Sequence, residues 1–349
     1  MSLKGATALV RLAQNPRCEV LGAMVMQEGP ETRFFERVVG TPYDREYGER
    51  QSSKRRGTQF ERNAYAGDAR LLREALAPMV GLQPDDIRVR NLLDDYPGTK
   101  DDARVARLRI TRRLLADSLA GRAAPHLIIQ PQLLVPTKPG PRPYFFIAPD
   151  VLVWMQQFGL YVPADLKSFV VRENEVSRAD LARVRLQLGA QSLALMHEYD
   201  HVSGGKTVVP ATGLLIFSHP NGLRPHAPRT EDLRGAREAV RLGIEAFLRH
   251  RRRIDGLRAG AEPYTVTTDL VPHFEEACLA QCVMSEWCRS SVAGRTRDLG
   301  DSAGQLLGNI ELARVTGLLL GTTMAASDAE QAIAAELQRI ANEYGVRAA

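Results

Sequence analysis

The pattern of hydrophobic and polar positions changes between two periods along the chain. Apolar residues that recur every three or four positions predict helices, and these cover 6–15, 57–77, 101–120, 178–197 and 230–257. Apolar runs rich in β-branched and aromatic residues predict strands, and these cover 127–135, 144–154, 159–169 and 207–218. Helices therefore precede and follow a group of strands, which predicts an α/β fold class.

Local signals refine these elements. Pro131 places the first strand at a sheet edge or a bulge. The short polar connection Gln156–Gly159 favours hairpin pairing between the second and third strands. Two segments have no clear period, so we expect a long loop over 28–55 and a surface hairpin or loop over 81–100.

Composition and length are those of a globular chain. Its 349 residues are 44% hydrophobic and 25% charged, and their number allows two domains or one elaborated domain. No apolar run is long enough to span a membrane, and the N-terminus lacks the apolar core of a signal peptide, so we expect a cytoplasmic protein without a membrane partner. We divide the chain into an N-terminal segment, a core, a cysteine segment and a helical tail, over 1–56, 57–260, 261–294 and 295–349. The tail packs across the core or mediates self-association into a homo-oligomer.

The positive charge is clustered. Net charge is +5, and basic runs occupy 54–56, 104–113 and 249–253. Such runs neutralise phosphates in nucleic-acid-binding proteins, although solvated helix faces have the same composition. The basic residues that we expect to contact nucleic acid are Lys54, Arg55, Arg56, Arg183, Arg251 and Arg252.

The four cysteines are unevenly spaced. Cys18 stands alone, whereas Cys278, Cys282 and Cys288 lie within eleven residues of one another. Together they supply the thiolates for an iron–sulfur cluster or for structural zinc. The alternative is a set of buried free cysteines, because the thiol packs as a small hydrophobic group.

Two acids and a lysine lie on the two central strands. Asp150 follows a proline in one strand, and Asp165 and Lys167 share one face of the next. Carboxylates that hold Mg²⁺ or Mn²⁺ let the ion bind a phosphodiester and activate water, and an ammonium steadies the developing charge. The carbonyl of Leu166 and the carboxylate of Glu61 are further candidate ligands. The alternative is a turn at Asp150 and a surface ion pair at Asp165.

These residues resemble the PD-(D/E)XK nucleases, and within them the RecB-type domains that carry an iron–sulfur cluster, such as CRISPR-associated adaptation exonucleases and the AddB nuclease domain. The resemblance covers roughly 18–289. Segment 57–61 is similar to the first motif of the family, Pro149-Asp150 to the second and Asp165-Leu166-Lys167 to the third. Gln187 is similar to the glutamine motif on the following helix.

The chain departs from this family in three places. Glu61 is nearest to the position where the family usually has a histidine, and Gln191 stands where an aromatic residue is expected. The first two clustered cysteines, Cys278 and Cys282, have three residues between them rather than two. Gln191 nonetheless shares a polar helix stripe with Arg183 and Gln187, at i, i+4 and i+8.

The resemblance implies a restriction-endonuclease-like core, in which helices flank a mixed central sheet. It also implies a 4Fe–4S cluster on Cys18, Cys278, Cys282 and Cys288, and catalysis by Asp150, Asp165, Lys167 and Gln187. The function that we expect is metal-dependent DNA hydrolysis on single strands or DNA ends, in repair, recombination or anti-phage defence. The alternatives are a catalytically silent DNA-binding or scaffold subunit of a multiprotein complex and, less favoured, a structural zinc protein.

Overall fold

The computed structural model of the chain describes part of the sequence, and every structural statement below concerns that part. The described ranges are 5–26, 31–43, 51–98, 101–136, 144–170, 178–205, 207–219, 222–226, 228–258, 270–274, 278, 282–288 and 301–343. Among these residues, no helix is both long enough and apolar enough to cross a membrane.

Helices make up most of the described chain. Those before and between the strands are α1 (Ala6–Gln14), α2 (Glu19–Met26), α3 (Glu31–Val39), α4 (Gln51–Val80), α5 (Leu92–Asp95), α6 (Asp101–Leu119), α7 (Arg178–Ser203) and α8 (Arg234–Arg258). Single helical turns cover Pro84–Asp86 and Ser285–Trp287, and the tail helices cover Asp301–Leu307, Leu312–Leu319 and Asp328–Glu343. Helix α4 is interrupted at Ala66–Ala69, where the backbone leaves the helical region.

The strands form a mixed six-stranded sheet and a small two-stranded ladder. They are β1 (Val89–Asn91), β2 (Leu127–Ile129), β3 (Leu133–Pro136), β4 (Tyr144–Ile147), β5 (Val151–Met155), β6 (Leu160–Val170), β7 (Thr212–Ser218) and β8 (Arg229–Asp232). The sheet order is β1-β2-β5-β6-β7-β8, and β3 pairs with β4. Pairs β1–β2 and β6–β7 are parallel, and the other pairs are antiparallel.

Helices cover both faces of the sheet because side chains alternate along each strand. Val162, Ala164 and Leu166 of β6 point into a core that they share with Phe60 and Leu72 of α4. The odd-numbered residues of β6 point to the opposite face. Helix α7 lies on that face and connects β6 to its parallel neighbour β7.

The sheet bends at one corner. Strands β2 and β5 are paired up to Ile129 and Val151, and beyond the break the same two chain segments pair again as β3 and β4 in the small ladder. At the corner the amide of Gln130 donates to the carbonyl of Asp150 at 2.9 Å. Gln130 has φ +50°, a left-handed conformation that is rare for a residue with a side chain and is further disfavoured before Pro131.

Helix α8 packs closely through small residues. A Cβ on Gly189 of α7 would lie 2.8 Å from the Cβ of Ala236, and a Cβ on Gly243 would lie 2.7 Å from the backbone nitrogen of Ala13 in α1. Both distances are too short for any side chain, so the two glycines permit the approach of the helix axes.

The chain divides into two compact units. The first contains residues 1–16 and 49–248 and therefore holds both sheets, and the second contains 17–48 and 249–349. In the second unit, Glu19 holds distant segments together: its amide donates to the carbonyl of Val271 at 3.0 Å, its carboxylate accepts from the amide of Val271 at 2.9 Å, and Arg253 lies 3.3 Å away.

The α/β fold class, the mixed sheet with flanking helices and the hairpin β5–β6 are confirmed. Helices are also present in the described part of the tail, whose ends 295–300 and 344–349 lie outside the described residues. The expected loop over 28–55 is wrong, because α3 and the start of α4 lie there. Segment 81–100 supplies the edge strand β1, and Thr230 belongs to β8 rather than to a helix.

Candidate active site

Asp150 and Asp165 lie opposite each other across two antiparallel strands. Val151 of β5 pairs with Ala164 of β6, so one step further along the ladder Asp150 faces Asp165. Asp165 is completely buried and, as an odd-numbered residue of β6, points toward α7. The sequence-predicted acids are therefore brought together at the corner of the sheet.

The Asp165 carboxylate is held by three side chains. Lys167 forms an ion pair with Oδ2, and the two atoms are 2.7 Å apart. Gln187 and Gln191 of α7 both donate to Oδ1, at 3.1 Å and 3.3 Å. The ammonium of Lys167 also donates to Oε1 of Gln187 at 3.1 Å, so lysine, glutamine and aspartate form a closed ring of contacts.

Asp150 is held mainly by backbone groups and by the corner residues. The amide of Leu166 donates to Oδ2 of Asp150 at 2.7 Å. Gln130 donates through its side-chain amide to Oδ1 at 3.4 Å, and the hydroxyl of Tyr65 donates to the Asp150 carbonyl at 3.3 Å. Leu166 therefore connects the two acids, because it follows Asp165 in sequence and its amide binds the Asp150 carboxylate.

The charges at this corner are strongly coupled. Burial raises the pKa of the Asp150 carboxyl well above its usual range, and the negative charges of Asp165 and Glu61 raise it further against the opposing effect of Lys167. Burial disfavours the charged form of Lys167, but the carboxylates of Asp165 and Asp150 outweigh it and the pKa of the ammonium is raised. Burial and the Asp150 charge raise the pKa of Tyr65. A cation bound beside Asp150 would lower the pKa of its carboxyl, because it would favour the charged form.

Glu61 lies on α4, one turn before Tyr65, and is half-buried. Its charge acts on the pKa of both Tyr65 and Asp150, which places it beside the two acids of the strands. Among the described residues, however, no three groups from histidine, cysteine, aspartate and glutamate are arranged to hold a metal ion. Glu61 therefore remains a predicted ligand, as does the carbonyl of Leu166.

The predicted DNA-contacting residues are divided between the two units. Arg56 at the start of α4 donates to the carbonyl of Ser168, the residue after Lys167, at 2.9 Å. Lys54 and Arg55 on the same helical turn are exposed. Arg183 is exposed one turn before Gln187, and its charge lowers the pKa of Lys167. Arg56 and Arg183 therefore lie near Lys167. Arg251 and Arg252 lie on α8 in the second unit.

All four cysteine thiols lie in the second unit and are close enough to interact electrostatically. Burial raises the pKa of Cys288, and the other three cysteines raise it further. Burial also raises the pKa of Cys18 to about 11, although backbone amides, including that of Leu21 at 3.4 Å from Sγ, lower it. The amide of Cys282 donates to the carbonyl of Cys278 at 2.8 Å. A soft cation would relieve the cost of ionising the buried thiols of Cys18 and Cys288.

Two residues of the site, Tyr65 and Gln130, carry no signal in the sequence motifs, and a third, Gln191, is indicated only by its helix spacing. Tyr65 and Gln130 hold the backbone and side chain of Asp150, and Gln191 holds Asp165. Gln191 is buried, and its Oε1 has no hydrogen-bond partner in the described part of the chain. Its i+4 spacing from Gln187 was the one available signal, because both amides share a helix face.

Comparison with models of known protein families and with curated proteins finds no match for this chain.

Proposed function

We propose that the first unit is a restriction-endonuclease-like domain and that the protein is a metal-dependent DNA nuclease. The observation that carries this proposal is the position of Asp150 and Asp165 on facing strands, with Lys167 2.7 Å from one of them. Two carboxylates hold a hard divalent cation, and a fixed ammonium supplies positive charge where a phosphate would gain negative charge.

Each residue of the site has a distinct role in this proposal. Asp150 and Asp165 would hold Mg²⁺ or Mn²⁺, which when bound lowers the pKa of water and polarises the scissile phosphate. Lys167 would orient the attacking water and stabilise the charge that develops on the phosphate. Gln187 and Gln191 fix the Asp165 side chain through their amide groups, so they are positioning residues.

DNA is the proposed substrate because cations flank the acids. Arg56 and Arg183 lie on two helices at the end of β6, and Lys54 and Arg55 extend the positive charge along α4. Phosphate contacts of this kind give affinity without sequence preference. The resemblance to the nuclease family implies repair, recombination or defence against phage as the biological setting, with protein partners in a complex.

The second unit would carry a 4Fe–4S cluster on Cys18, Cys278, Cys282 and Cys288. The donor set fits, because four thiols interact with one another and an amide hydrogen of Leu21 points to the sulfur of Cys18. Hydrogen bonds to sulfur are typical of cluster ligands. Structural zinc is the alternative for the same thiolates.

A catalytically silent DNA-binding subunit is the second candidate, and one observation favours it. The Asp165 carboxylate is completely buried, and Lys167, Gln187 and Gln191 already contact both of its oxygens. A divalent cation would have to displace the ammonium from Oδ2. The two candidates differ in whether the protein cuts DNA when the metal is added.

End-labelled single- and double-stranded DNA, incubated with Mn²⁺ or Mg²⁺, tests the proposal. We expect the wild type to cut at least one substrate, and Asp165→Asn and Lys167→Ala to lower the rate by at least about a hundredfold, the scale of losing one group that stabilises the transition state. EDTA should abolish cutting.

The matched control is Asp86→Asn, which alters an exposed acid in the same unit. It should cut at the wild-type rate. Intact substrates with every metal, while DNA still binds, would favour the silent subunit. Equal cutting by Asp165→Asn and the wild type would exclude the catalytic assignment.

A further inference from the structure

The structure sorts the five arginines of the basic run in α6 into two groups. Three serve the fold: Arg104 pairs with an aspartate three residues before it, Arg107 is buried, and Arg112 forms an ion pair with a buried glutamate of α7. Arg109 and Arg113 are exposed, and neither forms an ion pair with a described residue. The fold does not account for these two cations.

Arg113 lines a cavity of about 260 Å³ between α6 and the edge strand β1. Arg88 and Arg90 line the same cavity. A second cavity of about 200 Å³ shares Arg88 and is also lined by Arg122, His126 and Trp154. No acidic residue is among the described residues that line either cavity. The two cavities form an arginine groove at the β1 edge of the sheet.

The walls of the arginine groove are fixed by hydrogen bonds. The Arg88 guanidinium donates to the carbonyl of Ala124 at 2.7 Å, and the Arg88 amide donates to Nδ1 of His126 at 3.0 Å. Because Nδ1 accepts this bond, the other ring nitrogen of the neutral histidine carries the hydrogen and is a donor. Burial and the charge of Arg88 lower the pKa of His126, which favours the neutral ring. These hydrogen bonds fix the positions of Arg88 and His126 in the groove.

Two of the arginines are already neutralised outside the groove. Arg90 lies 2.8 Å from the carboxylate of Asp95, and Arg122 lies 2.6 Å from that of Asp117. Arg88 and Arg113 have no such partner among the described acids and supply the excess positive charge. A ligand that matches the groove therefore carries at least two negative charges, as neighbouring phosphates of a nucleic-acid chain do.

An aromatic wall lies beside these cations. The indole of Trp154 is half-buried and contacts the ring of Tyr161 edge to face, with 5.4 Å between the ring centres. The Tyr161 hydroxyl donates to the carbonyl of Pro125, so the pair is held against the loop that also holds Arg88. Aromatic faces next to a positive groove bind the bases of single strands by stacking.

We infer that the arginine groove binds a single strand of nucleic acid, with Arg88 and Arg113 on the phosphates and Trp154 against a base. The groove is separate from the acids, because Trp154 is four residues along β5 from Asp150, or about 14 Å at the usual rise per residue. The inference rests on the proposed function in one respect: the strand bound here would belong to the substrate of the nuclease.

Binding of a labelled oligothymidylate in EDTA tests the groove without any cutting. The chain has two tryptophans, so a Trp287→Phe protein reports Trp154 alone. We expect the oligonucleotide to quench this fluorescence. The double variant Arg88→Gln/Arg113→Gln should bind at least about tenfold more weakly. Its salt slope should be smaller by about 1.4, because each phosphate that a side chain neutralises on a single strand contributes ~0.7 to the slope.

The control is Arg241→Gln, which alters an exposed arginine of α8 whose partners are two glutamates of its own helix. It should keep the wild-type affinity and slope, and matched melting temperatures establish that both variants fold. Unchanged binding by the double variant, or unquenched fluorescence of Trp154, would contradict the proposal that the groove binds a single strand. If the wild type binds in this way but cuts no DNA, the nuclease proposal is wrong and the proposal that the groove binds a single strand is still supported.

Discussion

At Asp150, burial and the neighbouring negative charges both oppose ionisation of the carboxyl. Its pKa is raised above the ordinary value of 3.8, so the folded protein binds the proton more tightly than the unfolded chain does. A carboxyl group of this kind adds no cost to folding below pH 3.8. The free energy of unfolding falls as the pH rises from 3.8 to the pKa of Asp150 in the folded protein. Above that pKa the whole destabilisation from the buried carboxylate is present.

Replacing this carboxylate should stabilise the metal-free protein at neutral pH. We expect Asp150→Asn in EDTA to melt above the wild type at pH 8, with the difference vanishing toward pH 4. At this chain length each kcal/mol corresponds to about 2–4 °C. Thermal unfolding at several pH values measures the effect, and Asp86→Asn is the exposed control. A difference that does not change with pH would contradict the prediction.

At the residue scale, positions on the two central strands pointed to Asp150, Asp165 and Lys167, and the resemblance to the nuclease motifs added Gln187. Gln130 could not be predicted in this way. Its backbone is left-handed beside a proline, and its contact with Asp150 depends on a corner between two ladders. Strained residues of this type often mark functional sites. The sequence does not reveal this one, because the residue that normally marks a positive φ is glycine and this position is a glutamine.

At the scale of elements, the orientation of α7 depends on Gly189. This glycine lies between Gln187 and Gln191, on the side of α7 that approaches Ala236 of α8. The close approach of the two helices fixes the rotation of α7, and the two amides consequently face Asp165. A residue without a side chain therefore contributes to the geometry of the acids.

Two glycine substitutions should change stability in opposite directions. Gly189→Ala would place a Cβ 2.8 Å from Ala236, and we expect it to destabilise the fold by about 1–3 kcal/mol. Gly235→Ala in α8 meets open space and should stabilise the helix by up to about 1 kcal/mol. Urea unfolding of both variants measures these changes. Equal effects would show that α7 and α8 do not pack through this contact.

The elements also show where a hydrophobic pattern is insufficient. The predicted strands 127–135 and 144–154 are each two strands, and both breaks contain a proline, Pro131 and Pro149. Both ladders are buried, so the apolar pattern continues through the breaks. The pattern therefore does not show where the chain passes from one sheet to the other. The prolines indicated an edge or a bulge, but not that both strands turn together.

At the scale of the whole molecule, the chain divides so that its cysteines fall in one unit and its acids in the other. Cys18 precedes Glu19, which binds Val271 and Arg253, so the second unit joins segments that are more than 200 positions apart in the sequence. The grouping of the cysteines predicted that these segments meet, but nothing in the sequence predicted the contacts of Glu19. A cluster on these thiols would stabilise the same connection, because it binds the folded chain only.

Loss of one thiolate should therefore loosen the second unit. We expect protein purified without oxygen to be brown and to contain about four irons per chain. Cys18→Ala should lower the iron content and make segment 17–26 accessible to protease, whereas Ser285→Ala, a buried residue near the cysteines, should change neither. If the purified protein is colourless and contains stoichiometric zinc, the cysteines hold structural zinc and not an iron–sulfur cluster.

The hairpin β5–β6 also lowers the entropic cost of bringing Asp150 to the strand that carries Asp165. Asp150 and Leu166 are 16 residues apart along the chain, whereas Tyr65 and Asp150 are 85 apart. The entropic free-energy cost of closing a loop grows with the logarithm of this separation. Joining the two strands therefore costs about 1.5 kcal/mol less than bringing α4 to the same point. The two acids consequently meet through the short connection of the hairpin, whereas the contact of Tyr65 with Asp150 closes a much longer loop.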